Sequence, residues 1–124
     1  MHVDSKYFDE IFDFEGEWGL PSKCGLKIIR KPGKKVVVIV TELYQDNPGS
    51  SITYGAGSLL QQICRAKGLE WQDVIYLECN PDTNSKLSFY DEEYYQTRFE
   101  MIDGQLKNPV YTQLDDNSIK ELIY

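Results

Sequence analysis

Residues 36–43 read VVVIVTEL and residues 73–78 read DVIYLE, and the way these two runs are used decides the fold. Each is apolar at consecutive rather than alternate positions, the pattern of a strand covered on both faces. Between them, Ile52, Ala56, Leu59, Leu60 and Ile63 mark one face of a helix from about Ser51 to Lys67. Gly68 supplies its stop, and Arg65 and Lys67 suit the negative end of its dipole. A strand, a helix and a strand in this order form a right-handed crossover unit with the two strands parallel.

Working outward, LKIIR at 26–30 pairs with 36–43 through Lys31-Pro32-Gly33-Lys34, which offers Pro and Gly at the central positions of a type II turn. Its mixed polarity places it at an outer position of the sheet. Beyond the second strand, Leu87–Tyr90 and Thr97–Ile102 read as strands, and Asp103-Gly104 is a two-residue hairpin turn. The return strand runs through Val110 to Leu114, with Pro109 marking an edge. Ser118 and Glu121 have capping-box spacing for a short helix whose Ile119, Leu122 and Ile123 dock on the core. At the other end, Tyr7, Phe8 and Ile11 suggest a short helix within residues 4–14, and GEWGLPSKCG (16–25) carries loop chemistry.

The assembled expectation is an α+β fold with an α/β-like core, in the order β-β-α-β-β-β-β-α. It has a mixed sheet of about five to six strands and one main helix on one face. Residues 1–124 form one domain: an arm over 1–24, the sheet and main helix over 25–114, and a terminal helix over 115–124. Gly55 and Gly57 each lower helix propensity by about 1 kcal/mol relative to Ala, which predicts a close approach to the helix start, by the sheet ahead of the alternative of a ligand.

Composition narrows the function classes. A net charge of -7 opposes binding to a phosphate backbone, so no nucleic acid is expected. No run reaches the roughly 18 apolar residues of a bilayer span, and the acidic N-terminus is unlike a signal peptide, so a soluble cytoplasmic protein without a membrane partner is expected. Charge is uneven along the chain. Asp4, Asp9, Glu10, Asp13, Glu15 and Glu17 precede Lys23, Lys27, Arg30, Lys31, Lys34 and Lys35, either as two solvated surfaces or as a pair within the chain or between subunits. Cys24, Cys64 and Cys79 have neither disulfide-framework nor zinc-site spacing. His2 is the sole histidine, which counts against Ser-His-Asp and Cys-His mechanisms.

If 36–43 and 73–78 are parallel neighbours, the polar residues after each strand meet at one edge, where ligands of open α/β sheets bind. That edge gathers Glu42, Asp46 and Asn47 with Glu78, Cys79, Asn80 and Asp82. Gly49, Ser50, Ser51 and Thr53 at the helix start could take an anion or nucleotide phosphate. Glu42, Asp46, Glu78 and Asp82 are the oxygen ligands of Mg²⁺ or Ca²⁺, which would open metal-assisted hydrolysis. A thiol role for Cys79 is disfavoured by its carboxylate neighbours. Local structure also accounts for Asp46–Ser51: Pro48-Gly49 turns the chain and a serine caps the helix.

A second candidate surface is aromatic. Tyr90, Tyr94 and Tyr95 in an acidic link between strands, and Phe8, Phe12 and Trp18 in the arm, are residue types enriched at interfaces. The run from Thr41 to Thr53, TELYQDNPGSSIT, resembles a pattern T-E-L, D-N-P-G, S-[IV]-T found after a strand in small bacterial proteins, and the resemblance implies no activity. The expected function is a small soluble binding or protein-interaction domain without evident catalytic machinery, with a protein partner or a second copy of itself. The alternative is a small-ligand domain or metal-dependent hydrolase using the strand-end edge. No cofactor is indicated.

Overall fold

The computed structural model describes residues 8–16, 19–42, 55–81 and 92–124, with the backbone alone at Glu42, Asn80, Pro81 and Glu92. Its strands are β1 (Glu10–Glu15), β2 (Pro21–Ile29), β3 (Val36–Glu42), β4 (Val74–Pro81), β5 (Glu92–Ile102) and β6 (Gln105–Gln113). Helix α1 (Ala56–Lys67) lies between β3 and β4, and α2 (Asp116–Ile123) follows β6. The six strands form one mixed sheet in sequence order, and β3–β4 is the parallel pair. The α+β class and the crossover unit therefore stand as expected.

Several local expectations change. Residues 10–15 are strand rather than helix because the period that matters is two: Phe12 and Phe14 turn to the α1 face, while Ile11 and Asp13 turn away. The arm is consequently part of the sheet. Residues 21–25, expected as loop, already belong to β2, which lies between β1 and β3 rather than at an outer position. The segment Leu87–Tyr90 lies outside the described residues. The return strand starts at Gln105, directly after Asp103 and Gly104, whose positive φ of 51° and 78° fits a type I′ hairpin turn. Pro109 sits on the edge strand β6, where its missing N–H costs no ladder bond. In α2 the cap is Asp115, not Ser118: the Ser118 N–H donates to Asp115 Oδ1 at 2.8 Å and holds that carboxyl below its ordinary range.

Alternation along the strands divides the core into two layers. On one face, Phe14, Cys24, Leu26, Val38, Val40, Tyr76 and Leu106 pack with Ala56, Leu59, Leu60 and Ile63 of α1. On the other, Val37, Ile39, Leu77, Cys79 and Tyr94 meet Ile119, Leu122 and Ile123 of α2. Runs that are apolar at every position thus belong to strands with a helix on each side.

Helix α1 also holds both edges of the sheet. Gln62 accepts from the Glu15 N–H and donates to the Glu15 carbonyl, each at 2.9 Å, on edge strand β1. Its neighbour Gln61 donates to the Gly104 carbonyl at 2.9 Å and accepts from the Leu106 N–H at 3.1 Å, on the β5–β6 hairpin. A flat six-stranded sheet would be about 24 Å wide. A helix with its side chains is about 10–12 Å across, and α1 meets both strands because the end of the β5–β6 hairpin, which runs beyond the β4–β5 ladder, comes over to Gln61. Gly57 allows the contact, since a Cβ there would collide with the Leu106 carbonyl oxygen. The close approach expected at the helix start is therefore an approach of backbone from β6.

Candidate functional site

The carboxyl ends of β3 and β4 do lie at one edge. Val40 is opposite Glu78 and Thr41 opposite Cys79, so the parallel register brings Glu42 and Asn80 to the same border of the sheet. Asp46, Asn47, Gly49, Ser50, Ser51, Thr53 and Asp82 lie outside the described residues, as do the side chains of Glu42 and Asn80. Glu78 is described, and it is 2% exposed. Strand alternation turns it to the α1 face beside Tyr76, which is opposite Thr97, and Thr97 is in turn opposite Tyr111. The result is a polar cluster inside an otherwise apolar layer.

Burial raises the Tyr76 hydroxyl well above its ordinary pKa, with further contributions from Glu78, Cys24 and Tyr111. Tyr111 is pushed up to about 12, by burial first and then by Glu78. Tyr76 Oη, Thr41 Oγ1 and Thr97 Oγ1 are buried without a hydrogen-bond partner among the described residues. The thiols are equally inert: burial, followed by Asp13 and Glu10, pushes Cys24 up to about 12, and burial raises Cys64. Cys79 is fully buried on the opposite face, which removes the thiol considered at the strand end. Among the described residues no group of three His, Cys, Asp or Glu side chains could hold a metal.

Of the aromatic residues expected at an interface, Tyr94, Phe8 and Phe12 pack within the domain. Tyr94 is 4% exposed and is a core residue of the α2 layer, because it lies within β5 opposite Cys79 rather than in a link. Tyr95 is half-buried and donates from its hydroxyl to Glu93 Oε2 at 2.8 Å. Phe8 lies on Gly25, where a Cβ would come within 2.8 Å of its ring, and Phe12 packs on the α1 layer. Tyr90 and Trp18 lie outside the described residues.

Open space appears at the opposite end of the parallel pair. A cavity of about 370 Å³ lies beneath the β2–β3 turn on the α2 face. Its apolar walls are Ile29, Val37, Ile75 and Leu122, and its rim carries Lys31, Lys34 and Lys35 against one carboxylate among the described residues, Glu121. Lys31 Nζ donates to the Tyr124 and Glu121 carbonyls at 3.1 and 3.4 Å, fixing the turn to the end of α2. Lys34 and Lys35 are exposed and form no ion pair among the described residues. The turn itself is as expected, with Gly33 at φ 71° and the Lys34 N–H donating to the Lys31 carbonyl at 3.1 Å.

A second cavity, about 260 Å³, also touches Lys35 and Ile75. It opens where β5 leaves β4: their ladder ends at Tyr76–Thr97, although β4 starts at Val74 and β5 continues to Ile102. Trp71, Tyr76 and Phe99 wall it, with the Tyr76 and Phe99 rings edge to face at 5.7 Å, and Gln72, Gln96 and Arg98 stand at its border. Neither cavity was found from sequence. The signal available was the cluster of lysines around Pro32-Gly33, but its meaning depended on which face α2 would cover.

No family model, curated protein or solved structure matches the chain.

Proposed function

We propose that the protein is a small binding domain without a catalytic role, and that its ligand joins a negatively charged group to an apolar one. The observation that carries this is the apolar cavity of about 370 Å³ with three lysines at its rim, in a chain whose net charge is -7. Pockets that hold small ligands are concave, mostly apolar, about 300–1,000 Å³ in volume and fitted with a few polar groups that fix orientation. Lysines gathered against the overall charge give this end of the sheet a local field that attracts anions. Burial disfavours the thiolate forms of Cys24 and Cys64, which supports a reading without a thiol nucleophile at these positions.

Thermal unfolding in the presence of hydrophobic anions tests the proposal, because a ligand specific to the native state raises the melting temperature. A rise is expected with the natural chain and its loss is expected in the double charge reversal Lys34→Glu, Lys35→Glu. An equal rise in both proteins would place binding elsewhere and refute the proposed site.

A further inference from the structure

Resting on the reading of the lysine-rimmed cavity as a binding site, we infer that its ligand is a single-chain aliphatic carboxylate. The walls decide the tail. Ile29, Val37, Ile75 and Leu122 are all branched aliphatics and no aromatic ring among the described residues lines the space, whereas Trp71, Tyr76 and Phe99 line the neighbouring cavity. Stacking is what makes an aromatic-walled site favour planar ligands, and it is missing here. Burying an alkyl chain is favourable for every methylene removed from water and requires no directional partner.

The rim decides the head group. Lys31 is already engaged with the carbonyls at the end of α2, which leaves Lys34 and Lys35 to meet an anion. Lysine ammoniums act as mobile point charges rather than as the fixed planar fork of arginine. Two such charges, opposed by Glu121 on the same rim, suit one compact negative group at the mouth of an apolar space. The carboxylate therefore sits at the turn, and its chain runs inward between the sheet and α2 toward Leu122.

Isothermal titration of the full chain with decanoate, decanol, decylammonium and 2-naphthoate, alongside co-sedimentation with phosphatidylglycerol vesicles, separates the possibilities. Decanoate is expected to bind saturably at one site. Binding is expected to weaken roughly tenfold in Lys34→Glu, Lys35→Glu and to weaken further as salt rises. Leu122→Trp, which puts an indole in place of a lining isobutyl group, is expected to abolish it while circular dichroism verifies the fold. Equal binding of decanol or decylammonium would overturn the carboxylate assignment. Naphthoate binding with the same lysine dependence, without decanoate, would overturn the aliphatic class but leave the binding-domain reading standing. Vesicle binding without decanoate binding would overturn the free ligand in favour of a membrane surface, and no binding in any arm would overturn both.

Discussion

At Gly57 the absence of a side chain decides how closely α1 approaches β6. Alanine is the better helix former by about 1 kcal/mol, yet its methyl would meet the Leu106 carbonyl oxygen, a backbone atom that cannot step aside. Overpacking of this kind costs about 1–3 kcal/mol, so Gly57→Ala is expected to destabilise the fold by about that amount in urea unfolding. An unchanged or raised midpoint would show that the contact is looser than described. The buried acids make a second statement at this scale. Cys24, ordinarily near 9.0, and Tyr111, ordinarily near 10.0, are each held at about 12 in the folded chain. Between pH 9 and 12 the unfolded chain loses these protons first, so their contribution to stability is fully present below pH 9 and is lost as pH rises through that window. The melting temperature should fall steeply from pH 9 to 11, and Cys24→Ala should flatten part of that fall.

Among the elements, α1 carries a load that helix propensity alone would not reveal. Gln61 and Gln62 are adjacent residues that each make two hydrogen bonds to the backbone of a different sheet edge. With net contributions of about 0.5–1.5 kcal/mol per bond, Gln61→Ala and Gln62→Ala should each cost about 1–3 kcal/mol. Hydrogen exchange distinguishes the two: Leu106 N–H should exchange faster in Gln61→Ala and Glu15 N–H faster in Gln62→Ala. The same elements show what a sequence can disclose. The β3–α1–β4 unit was legible because its strands are apolar at every position and α1 keeps a clean helical stripe. The Asp103-Gly104 turn was legible because both residues tolerate positive φ. β1 was not, since Tyr7, Phe8 and Ile11 offer a helical spacing as readily as Phe12 and Phe14 offer an alternating one. Pairing with β2, a tertiary contact, selects the second.

Over the whole molecule, charge and open space are arranged along the β3–β4 pair. Its carboxyl end holds Glu78 in a buried cluster with Tyr76 and Tyr111, and its amino end holds Lys31, Lys34 and Lys35 around a cavity. Sequence reasoning led to the carboxyl end, where open α/β sheets usually bind ligands, because that inference needs only the strand order. The amino-end cavity depends on Leu122 of α2 standing over Val37 and Ile75 across more than forty residues of sequence, and no local pattern encodes that docking. Strand addition at the sheet edges is opposed where Gln61 and Gln62 occupy backbone groups and where Pro109 within β6 offers no N–H. This cavity is where we propose that the ligand binds. Methyl-resolved NMR during titration with decanoate tests this most directly. The methyl signals of Ile29, Val37, Ile75 and Leu122 should shift together and saturate at one equivalent, while those of Leu59 and Ile63 in the α1 layer stay still. Shifts confined to the α1 layer, or none at all, would contradict the account.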